Sequence, residues 1–297
     1  MQNRTKGIIT GVSSYILWGV LGLYWSLLKE VPALDILGYR FIFSLVFMAV
    51  ILSFQKQWTS FFVSVKTLWQ SGKIIWVILS SLFIALNWGT YIYMVGHGQA
   101  TEASLGYYIM PLLNVVVAVF FFREPLTKTS VLAVLFATIG VLLLTIQTGS
   151  IPFNTMIVAF AFCFYGVLKK QIALPASFSL TLETMVCFPL AVGYFFFSKT
   201  PSLFSYDGLT ISLLVLSGVI TAVPLLLFTV AAKSLDFLTL SFIQYINPTI
   251  QLLIAVFFFR EAFDPHKLIV FVFIWIGIAI FTIGSIHSYR QAIFYKK

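Results

Sequence analysis

Ten times along the chain, a predominantly apolar run ends in a short polar break, and about 20 such residues are what an α-helix needs to cross the hydrocarbon core of a bilayer. The runs cover roughly 7–28, 35–54, 74–96, 103–122, 126–147, 152–168, 178–197, 209–232, 237–259 and 266–286. Few folds survive this constraint. Backbone in lipid must satisfy its N–H and C=O groups internally, so only helices and closed barrels span a membrane. The runs lack the alternation of barrel strands, so the expected fold class is an all-α membrane protein with ten transmembrane helices. Connections are short, as at 233–236, and make consecutive helices antiparallel neighbours. The first run is too long for a cleaved signal peptide and no small-residue cleavage site follows it, so it is expected to remain a membrane helix.

Composition agrees: 60% of residues are hydrophobic and 9% charged, with a mean hydropathy of +1.02, far above a soluble domain of this size. The net charge of +9 invites a nucleic-acid reading, but the basic residues stand singly at the ends of apolar runs and form no patch. Sorted by side, 13 of the 18 Lys and Arg fall on one face and 4 on the other, with Arg40 inside a run. The excess of positive charge predicts that both termini are cytoplasmic. The longest connection, 55–73, lies on that face, and its Phe61, Phe62, Val65, Leu68 and Trp69 predict an interfacial amphipathic helix. Cys163 and Cys187 lie inside apolar runs without metal-ligand spacing and read as small core residues. His97, His266 and His287 are scattered near run ends, no phosphate-binding loop occurs, and no catalytic triad or metal spacing appears at membrane depth. No cofactor is expected.

A second feature orders the ten helices. Shifting the chain by 137 residues lays SLGYYIMPLLNVVVAVFFFRE, Ser104 to Glu124, over SFIQYINPTIQLLIAVFFFRE, Ser241 to Glu261, with 11 of 21 positions identical. Gly140 then lies over Gly277. This is an internal repeat. Five helices separate its copies, and five is odd, so the halves 1–150 and 151–297 are expected to be two inverted five-helix repeats. Inverted repeats are a recurring construction of secondary transporters.

The ten runs, SYILWGV in the first, NWGTYIYMVGHGQATEASLGYYIMPLLNV across the third and fourth, and the paired FFFRE ends resemble the RarD-type permeases of the EamA family, in the drug/metabolite transporter superfamily. The resemblance extends over nearly the whole chain. It implies a bacterial inner-membrane carrier for metabolites or drugs, built of two EamA repeats.

Candidate site residues are the polar groups at membrane depth. Tyr107, Pro111 and Asn114 are spaced i, i+4, i+7, and Gln244, Pro248 and Gln251 repeat that spacing, so each triplet shares one helical face. A proline removes a backbone donor, so Pro111 is expected to free the carbonyl of Tyr107, and Pro248 that of Gln244. With Asn87, Tyr91, Trp18 and Tyr165 these residues form the expected substrate site, an aromatic lining for a flat or amphipathic solute, with ring faces open to a cation. The alternative is that the amides join helices, the prolines bend them and the aromatics only pack. Gly19 and Gly166 are expected to let helices approach closely.

Arg40 and Glu183 are the deepest charges, near opposite ends of their helices and too far apart for a direct pair. Arg40 is expected to meet Glu102 or helix-end carbonyls, and Glu183 to meet Lys169 or Lys233, as gates; Glu183 is also the candidate proton carrier. The repeated Arg-Glu pairs, Arg123 with Glu124 and Arg260 with Glu261, are expected to fix hairpin turns, with Pro125 in the next first turn. Two functions stand at this point. One is a secondary transporter of a small organic solute, with the lipid bilayer and protons as further partners. The other is a membrane-embedded enzyme or lipid-handling protein using the same cavity.

Overall fold

The computed structural model describes residues 2–122, 128–149, 151–172, 174–198, 200–235 and 243–294, and all regular structure among them is helical. The helices are α1 (Gln2–Ser26), α2 (Ala33–Phe54), α3 (Trp58–Gln70), α4 (Ile74–Gly96), α5 (Ala100–Phe122), α6 (Lys128–Thr148), α7 (Phe153–Lys170), α8 (Ala176–Phe197), α9 (Gly208–Ser234), α10 (Ile246–Leu253) and α11 (Pro265–Phe294). A single 3₁₀ turn, Leu203–Ser205, precedes α9, and a π-helical turn, Ile254–Phe258, continues α10. By length and composition, six helices among the described residues can cross a membrane: those over Arg4–Ser26, Ala33–Phe54, Ile74–Gly96, Ala176–Phe197, Gly208–Phe228 and Pro265–Gly284. Shorter apolar helical stretches cover Val131–Gln147, Phe153–Lys169 and Ile246–Phe258. Arg123, Glu124 and Pro125 lie outside the described residues, as do the side chains of Pro111, Asn114 and Lys233.

Local chemistry sets the helix ends. Pro32, Pro152 and Pro175 stand immediately before α2, α7 and α8, where a missing N–H costs nothing. Gly72 and Gly98 follow α3 and α4 with φ of +69° and +70°, the left-handed closure that glycine takes without a Cβ clash. Asp207 caps α9 through the amides of Leu209 and Thr210.

Two elements differ from expectation. The 237–259 run is not one helix, because residues 244–245 form a turn and α10 begins at Ile246. Pro248 thereby sits in a first turn, where its ring is tolerated. The carbonyl of Gln244 is not free, since it accepts from the Asn247 amide at 3.2 Å. In α3, the expected single apolar face is divided in two. Phe61 and Leu68 are buried against Leu52, Val77, Ile172 and Phe178, whereas Phe62 (56% exposed) and Trp69 (71%) point away from the protein. At 100° per residue, 61, 65 and 68 share one stripe and 62 and 69 the next.

Packing follows the repeat. The 137-residue shift carries α4, α5 and α6 onto the ranges of α9, α10 and α11, and chain order pairs α1 and α2 with α7 and α8. The contact of α1 with α9 maps onto that of α7 with α4, and α1 with α10 onto α7 with α5, while α2 with α8 and α6 with α11 map onto themselves. The glycines make the last case atomic. A Cβ on Gly140 would lie 3.3 Å from the Val270 carbonyl and 2.9 Å from the Ile274 side chain, and one on Gly277 would lie 2.8 Å from the Ala133 carbonyl. Residues 133 and 270 are themselves 137 apart, so the two helices exchange equivalent contacts, as across a twofold axis.

Chain direction sorts the connections into two ends. One carries 27–32, 97–99, 198–207 and 259–264, and is filled by buried Trp25, Leu28, Val31, Ile36, Met94 and Ala100 with Tyr206 and Phe259 against them. The other carries α3 and the α7–α8 connection.

Candidate functional site

A cavity of about 500 Å³ lies within the bundle, lined by α1, α2, α4, α5, α7, α8, α9 and α10 and, at one end, by Ile172 and Leu174 of the α7–α8 connection. Of the expected site residues, Trp18, Tyr91, Tyr107, Tyr165, Gln244, Pro248 and Gln251 line it. Asn87 stands behind the wall, fully buried. It donates to the Val158 carbonyl at 2.8 Å and accepts from the Tyr107 hydroxyl at 3.0 Å, which joins α4 to α7 and orients a lining tyrosine. Gln251 donates to Asn247 Oδ1 at 2.9 Å, and its own carbonyl oxygen has no partner among the described residues.

Much of the wall is a relay of rings. Tyr15 meets Trp18 at 5.4 Å between centres, Trp18 meets Phe228 at 5.6 Å, and Tyr91 meets Tyr107 at 5.7 Å. Phe162 lies 6.1 Å from Tyr107 and 5.7 Å from Tyr165. These offset and edge contacts fix ring orientation at little entropic cost. Sequence spacing missed Phe162, Phe228, Trp25 and Trp88, all lining residues, because nothing separates them from the chain's other aromatics.

Two charged groups reach the cavity. Arg40, seven residues into α2 and thus about 10 Å from its start, is 3% exposed. Its guanidinium carbon lies 3.7 Å from the Trp88 ring centre and 4.9 Å from that of Trp25, and Nε donates to Thr221 Oγ1 at 2.7 Å. The expected contact of Arg40 with Glu102 or helix-end carbonyls is not formed. Arg40 is held deeper, by rings and a hydroxyl, and Glu102 instead pairs with Lys267 at 2.9 Å. At the other end, Lys169 Nζ lies 2.6 Å from Glu183 Oε1, and the Tyr165 hydroxyl donates to Glu183 Oε2 at 3.3 Å. Lys169 also donates to Ser179.

Gly19 and Gly166 part company. A Cβ on Gly19 would lie 2.7 Å from that of Ile250, a close approach of α1 to α10, but nothing comes within 4 Å of one on Gly166. Gly166 faces the cavity, so its expected packing role fails.

The end away from Lys169 is bridged by polar contacts between residues of 1–150 and residues of 151–297. Glu261 accepts from the amides of Ala100 and Thr101, each at 2.7 Å, and from the Thr101 hydroxyl at 2.6 Å. The second Arg-Glu pair therefore does more than fix its own turn, since Glu261 caps α5. Lys267 and Glu102 lie beside it, and Asp35 accepts from Tyr194 at 2.7 Å and Tyr206 at 3.2 Å.

Residues 5–146 and 150–283 each match the profile of the EamA-like transporter family. The chain belongs to that family. This EamA protein is 43% identical over 288 residues to the uncharacterized transporter YojE of Bacillus subtilis (strain 168), covering 97% of each chain. It is 38% identical to Protein RarD of Escherichia coli (strain K12), covering 98% of each. A solved crystal structure of a protein 19% identical superposes with a TM-score of 0.63 over 93% of this chain and 97% of that one, a likeness of fold alone. The EamA chain is thus a RarD-type membrane transporter and a multi-pass protein of the bacterial inner membrane.

Proposed function

We propose that this EamA protein is a secondary transporter that moves a small organic solute by alternating access, through a cavity between two inverted five-helix repeats, 1–150 and 151–297. The observation that carries the reading is the unequal state of the two ends. The cavity reaches Lys169 and Ala176 at one end, while at the other Glu261, Lys267 and Asp35 bind across the halves. A site closed on one side and reached from the other is what alternating access requires of each resting state. The symmetric exchange at Gly140 and Gly277 and the mapped helix contacts support the repeat. With both termini cytoplasmic, as the charge asymmetry argues, the reached end faces the cytoplasm.

In this mechanism Glu102 with Lys267 and Glu261 form the gate that ties the halves at the closed end, while Glu183 with Lys169, on consecutive helices of one half, is the coupling pair at the reached end. The closed-end gate opens as its partners separate, and the lone charges this leaves oppose its opening in the resting state. Glu183 is also the proton carrier: its protonation cancels the attraction to Lys169 and frees the ammonium. Uptake into proteoliposomes tests the whole. A labelled solute is expected to accumulate unchanged, driven by an imposed pH gradient in the wild type and insensitive to it in Glu183→Gln. Conversion of the solute without accumulation would sink the proposal, and transport indifferent to the gradient would remove Glu183 as carrier.

A further inference from the structure

We infer that the transported solute is an organic monocarboxylate, its carboxylate held on Arg40 and its apolar body laid against the ring-lined wall. The inference rests on the transporter reading for its purpose, and on Arg40 for its chemistry. A guanidinium has five N–H donors in a planar fork. Arg40 uses one, on Thr221, and its terminal nitrogens have no hydrogen-bond acceptor among the described residues. The rings of Trp25 and Trp88 stabilise the charge through their faces, but offer no in-plane lone pair. A buried cation with unused donors opening on a cavity is costly unless something completes it. A carboxylate matches the fork with two parallel bonds.

Charge selects among oxyanions. The other lining cation, Lys169, is already neutralised by Glu183 at 2.6 Å, so the described lining groups carry a single uncompensated positive charge. A monoanion balances it and a phosphate dianion overshoots. A cationic solute, which the aromatic content alone would admit, meets Arg40 on the two tryptophans most able to receive it. The remaining wall is apolar and aromatic, which a hydrocarbon or aryl body fills.

The test pairs acids with their uncharged isosteres. Phenylacetate, cyclohexylacetate and indole-3-acetate are titrated by calorimetry into full-length protein in lipid nanodiscs, beside their amides, phenethylamine and phenyl phosphate. At least one acid is expected to bind about tenfold or more tighter than its amide, and tighter than the amine or the phosphate. In Arg40→Gln the acid-to-amide ratio falls to about one, and in Arg40→Lys, the variant to use should the glutamine protein misfold, it falls between. No acid exceeding its amide, the amine or phosphate binding best, or a ratio unchanged by the substitution overturns the inference. Proteoliposomes separate it from the transport reading. An acid that binds through Arg40 but never crosses sinks transport alone, whereas a neutral or cationic solute moved equally by wild type and Arg40→Gln sinks this inference alone.

Discussion

Glu261 collects three hydrogen bonds at the start of α5, where an anion also meets the positive end of the helix dipole. Removing a helix cap costs about 0.5–2 kcal/mol, and here the cap also ties the halves together. Glu261→Gln is therefore expected to lower the unfolding midpoint of the reconstituted protein and to raise labelling at the closed end; unchanged labelling would deny the latch. Gly166 makes the opposite case. With nothing within 4 Å of its missing Cβ, Gly166→Leu should fold normally yet occupy the cavity, so solute binding falls about tenfold or more while the midpoint holds. Loss of both together would mean that Gly166 serves packing. Neither role was visible in the sequence. The partners of Glu261 lie 160 and 161 residues away, and a glycine in an apolar run looks the same whether it faces a helix or a cavity.

At the level of elements, what was legible was what is local. Apolar length located the helices because the bilayer ruler acts on each segment alone. The break before α10 escaped because Pro248 permits either a kinked helix or a fresh start, and only the chain around it decides. The two stripes of α3 escaped because its neighbours Phe178 and Ile172 come from the far half of the sequence. That division has a measurable consequence. Phe61→Ala, at a site 1% exposed, should destabilise by about 3–5 kcal/mol in reversible unfolding. Phe62→Ala, on the outward stripe, should cost far less. Equal losses would return both residues to one face.

For the molecule as a whole, sidedness is the property to measure. Cys163 and Cys187 are both buried, so an introduced thiol reports with little background. Ala176→Cys, on the cavity lining, should react with a membrane-impermeant maleimide from the cytoplasmic side, and Ala100→Cys, under the Glu261 cap, should stay protected from both. Reaction of Ala100→Cys in resting protein would contradict the closed end. The 137-residue repeat pairs α4, α5 and α6 with α9, α10 and α11 but says nothing of which end is bridged, since a symmetric sequence pattern is silent on which of the two twofold-related states of the proposed cycle the chain occupies. The α6–α11 contact bears on the exchange between those states. Its two glycines let backbone approach carbonyl at 2.8–3.3 Å from any added Cβ, and its partners are related to themselves by the repeat. Points near such an axis move least when two halves tilt, so in the proposed alternating-access cycle this seam would serve as the fulcrum. A methyl group at Gly277 would meet the Ala133 carbonyl at 2.8 Å, and one at Gly140 the Ile274 side chain at 2.9 Å, so either would push the two helices apart and disturb the bearing on which the halves are proposed to turn.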